Sequence, residues 1–306
     1  MTISHVGLIG AGLMGHGIGK NILAKGFGLT VVGHRNRAPV EDLIARGAKE
    51  LGSPNALAKA CDAIILCVTG TPEVEQAIYG EYGILGAVRD GMIIADCSTS
   101  EPDSTVRIAA DVAAKGGHFV DTPMIRTPKE AEEGKLGLML GGPRPVLDRL
   151  RPVLATFADT IVHAGDVRSA HRMKLINNFL SLGHAAMAAE VITAATKGGV
   201  DLAALRDIVM SGGAASVMFG RLMHVPLADD DSHAKFAIRN ARKDLRYYTN
   251  MTETMPVASF LAETAHQLYV TAENMGYGER YVARMIDMML QLNGITKAKA
   301  PPASKP

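Results

Sequence analysis

Lys174 and Asn178 stand four residues apart in His171-Arg172-Met173-Lys174-Leu175-Ile176-Asn177-Asn178. On a helix that spacing puts both on one face. A lysine beside a developing alkoxide can give its proton to the oxygen as a carbonyl is reduced, and take one back in the reverse direction. An amide next to it can orient the substrate or the ammonium group. By spacing alone the same pair is more commonly a surface lysine with a nearby asparagine, and His171, one turn earlier, is more commonly structural than part of a site.

A second group of residues could hold a dinucleotide. Gly10-Ala11-Gly12-Leu13-Met14-Gly15 lies directly between an apolar strand pattern and a helix running to about Lys25. In that context the first Gly makes the tight turn, the second lets the backbone approach a pyrophosphate, and the third lets helix and strand pack closely. The helix N-terminus offers N–H groups and positive partial charge to the phosphates. An acidic residue normally follows about 20 residues on and binds the ribose 2′-OH. Here the chain reads His34-Arg35-Asn36-Arg37, with no carboxylate. Guanidinium groups suit a 2′-phosphate, and about 2 kcal/mol of net interaction would favour NADP over NAD by about 30-fold. The sequence therefore points to NADP, with NAD and FAD fitting less well; solvated loop charges are the alternative.

The elements that must position these groups follow from patterning. Strands are expected at His5–Ile9, Leu29–Val32, Ala63–Val68, Met92–Ala95, Gly117–Val120, Leu136–Leu140 and Thr160–Val162. They alternate with helical patterns, and Ser53-Pro54 and Thr71-Pro72 read as helix starts. That alternation predicts a doubly wound, mostly parallel α/β sheet, a Rossmann domain over residues 1–164. After it the sequence predicts an all-helical domain, residues 165–299, for substrate binding and dimerisation. It opens with one long helix from Val167 to about Lys197, whose Ala185–Ala189 stretch should be buried all round. Further helices are expected near 201–210, 233–250, 255–274 and 277–293. The Met-rich Arg284–Leu292 reads as core or subunit interface. The tail 300–306 reads as disordered.

Composition narrows the function. The chain has 306 residues, 47% of them hydrophobic, and 32 Lys+Arg against 31 Asp+Glu. This is ample for two cores and excludes a globally basic nucleic-acid binder. No apolar run approaches a membrane span, and the first residues carry no basic leader pattern, so a cytoplasmic protein is expected. Cys61, Cys67 and Cys97 make neither a disulfide framework nor a metal-ligand spacing, so no metal is expected.

Taken together these residues resemble the β-hydroxyacid dehydrogenase family, the 3-hydroxyisobutyrate dehydrogenase type, over nearly the whole chain. Five segments in order carry the resemblance: Gly7 to Gly15 with Asn21; Asp96-Cys97-Ser98-Thr99 with Pro102; Asp121-Thr122-Pro123 through Gly134-Lys135-Leu136 to Gly141-Gly142; Lys174 to Asn178; and Lys243-Asp244-Leu245. The resemblance implies that Lys174 is the catalytic acid/base supported by Asn178. It implies that Val68, Thr69 and Thr99 line the nicotinamide side, and that Lys243 reaches the cofactor from the helical domain. Arg35 stands where NADP-preferring members carry their Arg. Ser98, Ile125, Arg126 and Thr127 fall on the substrate-binding segments. Two departures matter. The family's Ser-Gly-Gly is Ile125-Arg126-Thr127 here, so a substrate carboxylate must be held differently, and Arg126 could clamp it. Arg126-Thr127 is similar to the pair in 3-sulfolactaldehyde reductases, the type that the chain resembles together with tartronate semialdehyde reductases, although those enzymes have Gly where Ile125 stands. Arg126 facing solvent or pairing with Glu130 or Glu132 is the alternative. The family's Gly-x-Gly before the lysine is Arg168-Ser169-Ala170, a further basic group.

The expected function is an NADP-dependent oxidoreductase acting on a small anionic β-hydroxy acid or semialdehyde, as a homodimer or homotetramer, with no nucleic-acid or membrane partner. Dehydrogenation of a β-hydroxy amino acid of the D-threonine or D-phenylserine type is the rival within the class. Imine reduction is disfavoured by Lys174, and so is a non-catalytic dinucleotide-binding protein.

Overall fold

The computed structural model describes residues 2–33 and 36–295. His34, Arg35 and the tail 300–306, on which three of the expectations fall, lie outside them. The chain divides into two compact units, Met1–Lys174 and Leu175–Pro306, so the division falls inside the long helix rather than before it.

The first unit runs β1 (His5–Ile9), α1 (Gly15–Ala24), β2 (Gly28–Val32), α2 (Ala38–Ala45), β3 (Lys49–Leu51), α3 (Pro54–Ala60), β4 (Ala63–Leu66), α4 (Thr71–Tyr79), β5 (Ile93–Asp96), α5 (Pro102–Ala113), β6 (His118–Asp121), β7 (Met124–Ile125), α6 (Pro128–Glu133), β8 (Leu136–Gly141), α7 (Arg144–Leu154) and β9 (Ala158–Gly165). The sheet order is β3-β2-β1-β4-β5-β6-β8-β7, with β9 beside β8. The first six strands in that order are parallel, and β8 runs antiparallel to β6 and β7. This is the doubly wound Rossmann order, which reverses between β1 and β4. Central strands are apolar throughout because helices cover both faces. In β4, Ile65 joins Val6, Leu8 and Val31 on one face, while Ile64 and Leu66 join Leu57, Val74 and Ile94 on the other.

Two strands escaped the sequence pattern. β3 is an edge strand of Lys-Glu-Leu with two exposed residues, and β7 is two residues long. β9 extends further in both directions than the expected Thr160–Val162.

The second unit is helical. It takes α8 (Ser169–Lys197) from Leu175 on, then α9 (Leu202–Met210), α10 (Val217–Leu222), α11 (His224–Ala228), α12 (Ile238–Thr254), α13 (Phe260–Ala272) and α14 (Met285–Leu292). Among the described residues its strand pairing is a single bridge, Ala237 to Tyr281. Met285 and Met288 are fully buried in its core with Ala185, Ala189, Ile192 and Tyr269. The α8 segment expected to be buried all round is not: Ala185, Ala186, Ala188 and Ala189 are buried, but Met187 is 58% exposed. At about 100° per residue the side chain of Met187 falls on the outer face, with the exposed Ile176, Leu180 and Val191. By length and mean hydropathy alone α8 passes as long enough to cross a membrane, a test that a core helix of a globular domain also passes. Only 44% of its most apolar window is buried, because the outer face carries that stripe.

Candidate active site

In a doubly wound sheet, ligands bind outside the carboxyl ends of the strands where the order reverses. Here those ends are the residues after β1 and β4. Gly10 has φ +100°, a left-handed conformation, and a Cβ there would collide with the Cys67 carbonyl. A Cβ on Gly15 would collide with the Gly10 carbonyl. A Cβ on Gly12 would meet nothing within 4 Å, so the space over the loop is open. Ala11 is buried, Met14 is half-buried, and Leu13 is 78% exposed. No side chain caps the start of α1. The loop therefore fits a pyrophosphate, through a glycine cradle and uncapped helix amides. Behind it, Asn21 Nδ2 donates to Gly17 O (2.8 Å) and Ala131 O (2.9 Å), tying α1 to α6.

After β4, Val68 is half-buried and Thr69 exposed. Val68 N–H donates to the buried Ser98 Oγ at 3.0 Å, and Ser98 N–H donates to Asp96 Oδ1 at 2.8 Å. Ser98 thus joins the ends of β4 and β5, and the half-buried Thr99 follows it.

Lys174 is half-buried, and its Nζ donates to the main-chain oxygen of Met124, in β7, at 2.7 Å. The neighbouring segment departs from expectation. Ile125 is in β7, paired with Gly137 of β8. Arg126 has φ +82°, and its guanidinium is taken up at the sheet edge: by Asp159 Oδ1 (2.7 Å), Thr160 Oγ1 (3.0 Å) and the Lys135 carbonyl. It pairs with neither Glu130 nor Glu132 and is not an unengaged anion clamp, because Asp159 already supplies its carboxylate. Thr127 caps α6, exchanging bonds with Glu130 in a capping box. Arg168 also has positive φ (+83°), and its guanidinium forms no hydrogen bond or ion pair among the described residues.

In the second unit, Asn178 Nδ2 donates to Asp244 Oδ2 at 2.6 Å, and Lys243 Nζ bonds Asp244 Oδ1 at 2.7 Å. Lys243 also lies 4.6 Å from the centre of the Tyr247 ring. The buried Asp244 thus collects two expected site residues. As a site residue it was missed, since only its place beside Lys243 drew notice.

Of the expected ribose loop, Arg37 is described and engaged, with Nη1 2.6 Å and Nη2 2.9 Å from the Glu50 carboxylate. It is not an open phosphate ligand, because β3 brings Glu50 beside it. Asn36 precedes it. On the outer side of α1, His16 bonds Glu132 (2.6 Å) and Asp42 (2.7 Å), and Lys20 bonds Glu132 (2.6 Å). Burial works against a charged His16, but the two carboxylates outweigh it and raise its pKa. Burial pushes the Cys97 thiol up to about 12, which removes it as a nucleophile.

Comparison with known proteins accounts for both units. Residues 5–165 match the family model described as the NAD binding domain of 6-phosphogluconate dehydrogenase. Residues 169–289 match the one described as NAD-binding of NADP-dependent 3-hydroxyisobutyrate dehydrogenase. The chain is 29% identical to 3-sulfolactaldehyde reductase of Escherichia coli (strain K12), over 95% of this chain and 97% of that one. It is 28% identical to 2-(hydroxymethyl)glutarate dehydrogenase of Eubacterium barkeri, over 95% and 96%. A crystal structure of 3-hydroxyisobutyrate dehydrogenase from Salmonella typhimurium superposes with a TM-score of 0.82 at 26% identity, covering 93% of this chain and 99% of that one.

Proposed function

This chain belongs to the 3-hydroxyisobutyrate dehydrogenase-like β-hydroxyacid dehydrogenase family, and from that premise we propose that it is an NADP-dependent reductase or dehydrogenase of a small anionic β-hydroxy acid or its semialdehyde. The observation that carries the reading is the half-buried Lys174 ammonium held at the carboxyl edge of the sheet, 2.7 Å from Met124 O. In reduction Lys174 gives a proton to the carbonyl oxygen; in oxidation the neutral amine takes the hydroxyl proton. Bound NADP(H) supplies or accepts the hydride. Gly10, Gly12 and Gly15 leave room for its pyrophosphate, and Arg35 would meet its 2′-phosphate. With Arg126 engaged by Asp159, Arg168 is the guanidinium in the first unit that we assign to the substrate's anionic group. The exposed apolar face of α8, with Leu180 and Met187, would pack between copies in a homodimer or homotetramer.

The test is a panel of short semialdehydes, sulfonates and hydroxy amino acids followed by NADPH absorbance. Lys174→Ala is expected to lower kcat by about 10²–10⁴ on the best substrate while leaving NADPH binding in place. An unchanged rate removes Lys174 from the chemistry, and turnover confined to the amino acids selects the rival substrate class. In the same assay Arg35→Ala should weaken NADP by about 30-fold relative to NAD; equal losses would refute the 2′-phosphate role.

A further inference from the structure

The lysine depends on a buried carboxylate that the chemistry itself does not use. We propose that Asp121, together with His171, positions Lys174 by clamping the first turn of α8 onto the carboxyl ends of β5 and β6. The proposal rests on the catalytic assignment of Lys174 made above.

Asp121 ends β6 and is fully buried. Its Oδ1 accepts the Arg168 N–H and its Oδ2 the His171 N–H, each at 2.9 Å. First-turn amides of a helix have no partner within the helix, and a carboxylate there also meets the positive end of the helix dipole. A local cap would come from the residue before the helix. This one comes from a strand 47 and 50 residues away, so it fixes the helix to the sheet. Room for it is made by Gly141 of β8, where a Cβ would collide with the Asp121 carboxylate.

His171 adds a second attachment. Its ring is fully buried, with Nδ1 2.7 Å from Thr105 Oγ1 on α5. Nε2 lies 3.6 Å from Asp96 Oδ2 at the end of β5, beyond hydrogen-bond distance. Asp96 in turn accepts from Ser98 N–H and from Ser100 Oγ (2.7 Å), so the ring is wedged against the loop that carries Ser98 and Thr99. Lys174 follows His171 by one turn. Its main chain is thus set by Asp121 at the end of β6, and its Nζ by Met124 O three residues further on, at the start of β7. One short segment, 121–124, holds both ends of the lysine. A misplacement of about 1 Å can cost about 100-fold in rate.

The experiment is a double-mutant cycle on the full chain with NADPH and the best substrate of the panel. Asp121→Asn keeps the volume but turns one acceptor into a donor facing an amide. It is expected to lower kcat about 10–100-fold with the NADPH Kd within about twofold, and in a Lys174→Ala background to cost less than about twofold. His171→Leu should behave the same way. His171→Asn, whose amide can still bond Thr105, should recover about tenfold of that loss. A cap that served stability alone would give equal losses in both backgrounds, and that result overturns the proposal. If Lys174→Ala lowers kcat but Asp121→Asn and His171→Leu do not, the clamp alone is wrong. If Lys174→Ala has no effect, the catalytic reading is wrong and the clamp falls with it. Should Asp121→Asn fail to fold, the two His171 variants decide between the same outcomes.

Discussion

Asp121 in the first unit and Asp244 in the second are both buried carboxylates that hold groups at or next to expected site residues, but they do so differently. Asp121 accepts from two main-chain amides and so fixes a piece of backbone. Asp244 accepts from the side chains of Asn178 and Lys243, and so fixes rotamers and neutralises a charge. Losing the first misplaces a helix turn and strands neutral groups. Losing the second removes the carboxylate from an ammonium that is only 18% exposed. The contrast predicts that one carboxylate fails mainly through rate and the other mainly through stability.

The sharpest way to break that contrast is Asp244→Ala. Removing one partner of a largely buried ion pair should lower the unfolding free energy by about 3 kcal/mol, measured by denaturant melts. Asp244→Asn should cost less, because it still bonds Asn178. A stability loss no larger than that of Asp121→Asn would erase the distinction. The next effect concerns cations with and without a carboxylate partner. Arg168→Ala should raise KM about tenfold for anionic substrates and leave neutral ones unchanged, as expected for one lost charge-assisted contact. Arg126→Ala should leave KM alone and change stability by less than about 1 kcal/mol, as for an exposed pair. The reverse result would return substrate recognition to Arg126. The smallest effect belongs to His16. Its folded pKa is raised above the ordinary 6.5, so its contribution is complete below that value and is lost as pH rises through the folded one. Replacing it in His16→Gln should flatten the decline of Tm between about pH 6 and 9; an unaltered slope would show that the ring is neutral in the folded chain.

What the sequence disclosed was local. The glycine loop was legible because strand, turn and helix are contiguous from His5 to Ala24. The long helix that carries Lys174 and Asn178 was legible because helical periodicity is local too, but their spacing alone did not set them apart from surface residues. The parallel sheet followed from strand-helix alternation, while β3 was hidden by its charged edge residues and β7 by its two-residue length. The course of Arg126 was not legible, since it depends on Asp159 and Thr160, 33 and 34 residues away. Asp121 acts on amides 47 and 50 residues distant, and Asp244 reaches Asn178 across 66 residues besides its neighbour Lys243; no spacing rule reaches so far. A weak signal did exist for Asp121: a lone carboxylate ending the apolar run Phe119-Val120. His16, by contrast, joins α1 to α2 and α6 through ordinary surface residues and left no sequence trace.

The attachment of α8 through main-chain amides has a consequence for how such a protein can diverge. Every amino acid except proline brings the same N–H, so the anchor at Arg168 and His171 asks little of the side chain at 168 beyond tolerance of its left-handed backbone. That position is therefore open to drift, and a new side chain there would leave the backbone that carries Lys174 where it was.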